Sequence, residues 1–244
     1  MGNNEFKYLN REEFGALTHL RELYLDGNQI SSITDNTFRS SHLTVLNLAS
    51  NLIARVGGSA FFNSTIMSLD LSANKFDSLD ELTFAQIRSN LTNLNLSNNT
   101  KLKLSPLLPI LGDLPRLKHL SLAYNNYEDL PLELFERQGE LEFLNLSGNH
   151  LPDIFPHQFS HLVRLRVLDL SRNRLKGLDE LVLSQFDRMR SLQRIYLHGN
   201  IWACDLCHIR HLLRWVQRTP PFSNGCSQLN GKKNITYERR EFVQ

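Results

Sequence analysis

Residues 141–149 read Leu141-Glu142-Phe143-Leu144-Asn145-Leu146-Ser147-Gly148-Asn149, the pattern L-x-x-L-x-L-x-x-N. Its centre reads as a short strand, with Leu144 and Leu146 pointing to one side and the intervening residues to the other. The asparagine stands where the chain turns out of that strand. Its amide can donate to, and accept from, backbone groups that would otherwise be buried unpaired. Losing such a partner typically costs about 1–3 kcal/mol.

The same wording returns in both directions. Before it come Leu20, Leu23, Leu25, Asn28; Leu43, Leu46, Leu48, Asn51; Ile66, Leu69, Leu71, Asn74; Leu91, Leu94, Leu96, Asn99; and Leu117, Leu120, Leu122, Asn125. After it come Leu165, Leu168, Leu170, Asn173 and Leu192, Ile195, Leu197, Asn200. The asparagines lie 23, 23, 25, 26, 24, 24 and 27 residues apart. A second apolar column precedes each repeat by a few residues: Phe14, Phe38, Phe61, Phe84, Leu111, Phe135, Phe159 and Phe186. One aromatic per repeat points to a stacked spine rather than a cofactor box. A third layer is expected from Leu17, Leu114, Leu162 and Met189.

This self-similarity resembles the leucine-rich repeat. It implies an α/β solenoid bent into a horseshoe, with a parallel concave sheet and an irregular convex side around the phenylalanine spine. Eight strands spaced by about 4.8 Å make an arc about 40 Å long. The expected organisation is residues 1–19 as the end of a preceding repeat or the start of an expressed piece, 20–198 as eight repeats, and 199–244 as a C-terminal cap. The fifth turn departs from the pattern. Lys101 to Pro106 and Leu107 to Pro115 bring leucines and prolines where phenylalanine would stand, which reads as a local loop.

At 244 residues, with 41% hydrophobic and 21% charged residues, the composition is that of a globular protein. No run reaches the roughly 18 apolar residues of a membrane span. A net charge of +2 does not suggest a general nucleic-acid binder. Met1-Gly2-Asn3-Asn4 is polar and lacks the apolar core of a secretory signal. The array also begins without a cap, so an internal piece of a longer protein is expected.

The last repeat runs into Gly199-Asn200-Ile201-Trp202-Ala203-Cys204-Asp205-Leu206-Cys207, followed by Ile209, Leu212, Leu213, Trp215 and Val216 at helical spacing. This resembles the cysteine-rich C-terminal flank of extracellular leucine-rich repeat proteins, N-P-W-x-C-D-C followed by L-x-x-L-x-x-W. Two departures stand out: Ile201 replaces the proline, and the cysteines are C-x-x-C. The resemblance implies four cysteines paired first with third and second with fourth. Cys204 would then bond Cys226, leaving Cys207 to a cysteine at or past the end shown. Two rival readings use the same residues, a C-x-x-C-H haem attachment and a zinc set with His208 and His211. Neither explains Trp202, the helix or the position at the end of an array. The disulfide cap is preferred, so no cofactor or metal is expected. Disulfides persist in oxidising compartments, which points to an extracellular or cell-surface location.

Six N-x-S/T sequons agree with secretion: Asn63, Asn90, Asn95, Asn98, Asn145 and Asn234. Asn95 and Asn145 follow almost automatically from the repeat's own wording, whereas Asn63 and Asn234 do not and rank first for glycosylation. Crowding disfavours full occupancy of Asn90, Asn95 and Asn98.

The outward strand positions line the concave face. One column is Glu22, Val45, Ser68, Asn93, His119, Phe143, Val167 and Arg194; the other is Tyr24, Asn47, Asp70, Asn95, Ser121, Asn145, Asp169 and Tyr196. Phe143 beside Val167 is the sharpest anomaly, because apolar groups on the solvent side of a sheet mark interfaces. Tyr196, Arg194, Arg172 and His198 stand near it, and aromatics with arginine are favoured in hot spots. Tyr24, Val45 and His119 complete the expected partner-binding set. Catalysis is not expected: Asp70 and Asp169 sit four turns apart, about 20 Å along the stack, and the nine histidines are scattered.

The roughly 24-residue repeat resembles animal cell-surface proteins, chaoptin-like or Toll-type. The expected function is a non-catalytic recognition module from an adhesion or guidance receptor ectodomain. It would bind a protein ligand, a receptor or a second copy of itself, and meet a membrane only through segments outside this chain. The alternatives are an innate-immune receptor or secreted immune factor, and a cytosolic regulatory scaffold.

Overall fold

The computed structural model describes residues 2–10, 14, 16–203, 210–212 and 214–215, with the backbone of 236–238. In chain order the elements are β1 (Glu22–Tyr24), β2 (Ser32–Ile33), β3 (Val45–Asn47), β4 (Arg55–Val56), β5 (Ser68–Asp70), β6 (Asn93–Asn95), α1 (Leu107–Gly112) and β7 (His119–Ser121). A 3-10 turn (Leu132–Phe135), β8 (Phe143–Asn145), β9 (Val167–Asp169), α2 (Glu180–Arg188), β10 (Arg194–Tyr196) and β11 (Thr236–Glu238) complete them. One sheet runs β1-β3-β5-β6-β7-β8-β9-β10-β11. Its first eight strands are parallel, one per repeat, and we number the turns one to eight accordingly.

The register places the second leucine of each repeat beside that of the next: Leu23, Leu46, Leu69, Leu94, Leu120, Leu144, Leu168 and then Ile195. Each strand is three residues long with only its central side chain buried, as period-two alternation requires. The antiparallel β11 adds a ninth strand to β10, a feature the repeat pattern does not contain.

The asparagine ladder forms as the repeat implies. Each ladder amide from Asn51 onward donates backward to a leucine carbonyl of the preceding turn, as Asn149 Nδ2 does to Leu122 at 3.0 Å and Asn173 Nδ2 to Leu146 at 3.0 Å. The carbonyl oxygens accept from backbone N–H groups of the preceding turn, as Asn173 Oδ1 does from Leu151. All eight asparagines are buried. Immediately before each asparagine the chain takes a positive φ: Gly27, Ser50, Ala73, Asn98, Tyr124, Gly148, Arg172 and Gly199, between 52° and 72°. That conformation lets the residue's N–H reach a carbonyl in the next turn, as Gly148 reaches Ser171 at 3.0 Å.

Gly148 is a position where glycine is needed twice over. An added Cβ would lie 2.3 Å from the Tyr124 ring, which rests on it from the turn before. Gly148→Ala is therefore expected to lose roughly 1–2 kcal/mol for the left-handed backbone alone, and more through the displaced tyrosine. Urea unfolding of Gly148→Ala should show this loss, and Tyr124→Ala in the same background should recover part of it. Equal midpoints for wild type and Gly148→Ala would refute the packing described.

On the convex side the phenylalanine spine is continuous in two runs. Phe14, Phe38 and Phe61 stack at 5.3 and 5.9 Å, and Phe135, Phe159 and Phe186 at 5.9 and 6.3 Å. Between the runs lie turn four, with Phe84 buried in the same column, and turn five, where the expected loop is in fact the helix α1, burying Leu107, Ile110 and Leu111. Its prolines are compatible with this. Pro106 caps the helix and Pro109 sits in the first turn, where N–H groups lack intrahelical partners anyway. Turn eight carries the longer α2, capped by Asp179, whose carboxylate accepts from Leu181 N. The convex side is thus partly helical, and β2 pairs with β4 as a small two-stranded sheet. Leu114, Leu162 and Met189 are buried as a third layer. Leu17, expected with them, is 45% exposed because it lies in the first turn at the edge of the stack.

At the C-terminal end, residues 210–212 and 214–215 are helical. Leu212 and Trp215 are buried, and the Trp215 ring continues the spine 6.3 Å from Phe186. Its indole N–H donates to Asp187 of α2 at 2.9 Å. Trp202 is buried as well. Ile209, Leu213, Val216, Cys204, Cys207, Cys226, His208 and Asn234 lie outside the described residues, so the disulfide, haem and zinc readings do too. His211 stands 3.4 Å from Glu180 of α2.

Candidate protein-binding face

The eight parallel strands turn two columns of side chains toward the inside of the curve. The first column brings His119, Phe143, Val167 and Arg194 side by side, one from each of turns five to eight. The rings of His119 and Phe143 lie 6.0 Å apart. Phe143 and Val167 are half-buried rather than fully exposed, because each is flanked on both sides by a neighbour in the column. An apolar step therefore sits between a histidine and an arginine.

The second column does a different job along most of its length. The side-chain oxygens of Asn47, Asp70, Asn95, Asn145 and Asp169 each accept from the backbone N–H two residues on, at 2.8–3.1 Å. These Asx turns hold the exit from the strand. Asp70 also accepts from Asn95 Nδ2 at 2.9 Å, tying turns three and four together. The aromatic ends of the column escape this duty. Tyr196 stands 6.4 Å edge-on to His198, and the Tyr24 hydroxyl donates to Glu22 at 2.9 Å.

A third row, one residue before the first column, was not singled out by the repeat pattern. In it Lys118 approaches Glu142 at 3.1 Å, and Arg166 stands 3.8 Å from the same carboxylate. The Lys118 ammonium beside Glu142, with Arg166 beyond it, holds its carboxyl below the usual carboxylate range, so it stays ionised at neutral pH. These groups flank Phe143 and Val167. The signal was present as Lys, Glu and Arg at one repeat position, 24 residues apart, but only strand register shows that they meet.

Of the nine partner-binding residues expected from sequence, seven gather on turns five to eight: His119, Phe143, Val167, Arg172, Arg194, Tyr196 and His198. Arg172 packs over Gly199, and its N–H reaches the His198 carbonyl at 2.7 Å. Tyr24 and Val45 lie on turns one and two, about 20 Å from Phe143 at the usual strand spacing. They belong to the other end of the arc.

Among the sequons, Asn63 is exposed in a turn at φ 54°, with its amide 3.3 Å from Ser40 Oγ. Asn98 is exposed, while Asn90 and Asn145 are half-buried. Asn145 lies two residues from Phe143 on β8, so a glycan there would crowd the apolar step. Among the described residues, no group of three or more His, Cys, Asp or Glu gathers at metal-binding distance. No described helix is long and apolar enough to cross a membrane.

Comparisons with known proteins agree with this architecture. A family model described as leucine rich repeat matches residues 18–65 and 151–201. No curated protein matches the sequence. Among solved structures the chain is similar to human 5T4, also named Wnt-activated inhibitory factor 1 and trophoblast glycoprotein. That match has a TM-score of 0.76 and 24% identity, covering 90% of this chain and 82% of the other. A chain of the Drosophila Toll–Spatzle complex, a molecular hub in development and innate immunity, matches at TM-score 0.50 and 24% identity. It is covered over 35% of its length and covers 91% of this chain, which thus spans about a third of it.

Proposed function

We propose, from the leucine-rich repeat fold as premise, that this chain is a non-catalytic recognition module that holds a protein partner against the inner face of turns five to eight. One observation carries the reading. The half-buried pair Phe143 and Val167 is framed by His119 and Arg194 along its own column, and by the ionised row Lys118, Glu142 and Arg166 beside it. Interfaces of this kind bury an apolar or aromatic anchor at the centre and keep polar groups at the rim. Tyr196, His198 and Arg172 extend the same surface toward the C-terminal end.

The module belongs to an extracellular or cell-surface protein, and an adhesion or guidance receptor is the preferred setting. The C-terminal sequence with Cys204, Cys207 and Cys226, and the exposed sequons Asn63 and Asn98, support that setting. An innate-immune role is the second reading, favoured by the likeness to a chain of the Toll–Spatzle complex. A cytosolic scaffold would leave Cys204 and Cys226 as free thiols in non-reducing peptide mapping.

The test is binding of a soluble fusion of this chain to intact animal cells, and to itself. Phe143→Asp and Val167→Asp should each weaken binding at least about tenfold, the effect of losing a central anchor of roughly 2 kcal/mol. Val45→Asp, at the far end of the arc, should leave it unchanged. Unaltered binding in both of the first two variants would overturn the assignment of this face.

A further inference from the structure

A second surface lies outside the concave face. On the convex flank of turns seven and eight, α2 borders a groove of about 420 Å³, within the size range of small-ligand and side-chain pockets. Helical spacing sorts the side chains of α2 into two faces. Glu180 and Asp187 turn toward the C-terminal helix, where they meet His211 and Trp215. Leu181, Gln185 and Arg188, at i, i+4 and i+7, line the groove, opposite Val163 and His157 from turn seven. The acidic side chains of the helix thus lie on the face away from the groove. Among the described residues the groove lining contains Arg188 and Arg190 and no carboxylate.

Two further features single this groove out. Leu181 and Val163 are 64% and 65% exposed, two aliphatic side chains facing solvent at its edge. Gln185 is 8% exposed; its Oε1 accepts from His157 N at 2.7 Å, but its buried Nε2 has no hydrogen-bond partner. A buried donor left unpaired is unfavourable and needs an acceptor. His157, the acceptor's own partner, takes a left-handed turn at φ 70°, as do residues in the other turns of the stack.

We propose that this groove is a docking site for a short acidic and aliphatic peptide segment of a partner protein. A carboxylate of the segment lies near Arg188 and supplies acceptors to the basic lining, while its neighbouring aliphatic side chain packs on Leu181 and Val163. Charge complementarity selects this occupant, because an acid would meet Arg188 there and a basic segment would be repelled by it. The site is separate from the concave face, and its occupant need not be the same partner.

The probe is a fluorescein-labelled decapeptide alternating glutamate and leucine, with a matched lysine–leucine peptide as counter-probe. Anisotropy should show saturable binding of the first and little of the second, and amide NMR shifts should centre on His157, Leu181, Gln185 and Arg188. Arg188→Glu and Leu181→Glu should each weaken binding about tenfold, a change typical of losing one interface anchor. Both side chains are exposed, so the fold should be retained, and Val163→Glu on the adjacent turn serves as a further variant. Phe143→Asp should leave this binding intact, which keeps its failure distinct from failure of the concave-face reading. No binding, equal binding of both peptides, shifts confined to the concave face, or indifference to all three groove variants would overturn the proposal.

Discussion

Asn149→Ala is expected to destabilise the fold by about 4 kcal/mol, a large loss for one exchange of this size. Asn149 Oδ1 accepts from two backbone N–H groups of the preceding turn, Asn125 at 3.0 Å and Tyr127 at 3.1 Å. Its Nδ2 donates to the carbonyls of Leu122 and Leu146, at 3.0 and 2.9 Å. The Leu146 carbonyl keeps a second donor in Asn173. Alanine therefore strands three buried backbone groups, each worth about 1–3 kcal/mol. Asn145→Ala, four residues earlier on the same turn, is the control. That side chain is half-buried and holds only the Ser147 N–H, at 2.9 Å, so its loss should cost below about 1.5 kcal/mol. Urea unfolding followed by far-ultraviolet circular dichroism distinguishes the two. Similar midpoints for both variants would mean that the ladder does not hold the turns together.

Phe159→Ala should cost about 3–5 kcal/mol, the range for emptying a packed aromatic site. The ring is 1% exposed and lies between Phe135 and Phe186, so its removal interrupts the longer reach of the spine toward the C-terminal Trp215. Phe159→Leu should be milder, about 1–2 kcal/mol, because turn five already tolerates a buried leucine in the same column at Leu111. The difference between the two variants, read from their unfolding midpoints, measures packing rather than mere hydrophobicity. If alanine and leucine behaved alike at this site, the spine would not be the close-packed column described.

Much of the architecture was legible beforehand because each part is written once per turn. The leucines of β8 need only the leucines of β7 and β9 as neighbours, and the ladder asparagines need only backbone that every turn supplies. A feature that repeats with the chain can be read along the chain. Leu17 breaks the rule at the boundary, where the repeating neighbour of an internal turn is missing from its outer side. The helix α1 was hidden by Pro106 and Pro109, which read as breakers although both fall where a helix start leaves N–H groups unused. The left-handed residue before each asparagine was hidden for another reason. Only Gly27, Gly148 and Gly199 advertise it, while Tyr124 and Arg172 are held there by the cross-turn hydrogen bonds.

The candidate sites divide in the same way. Phe143 beside Val167 could be named from sequence, since register follows from the repeat. The ionised row of Lys118, Glu142 and Arg166, and the groove beside α2, could not. Both depend on side chains from different turns, and the groove depends also on which face of α2 the C-terminal helix covers.

From its residues alone the chain determined its eight repeat strands, their order and register, the buried ladder and the aromatic spine. All of these are local instructions repeated at a nearly constant interval and satisfied by like neighbours. Tertiary structure alone decided where helices replace the convex loops, which charges pair across turns, and which polar groups are buried without a partner. Those outcomes depend on distances between unlike side chains far apart in sequence, and no periodicity encodes them.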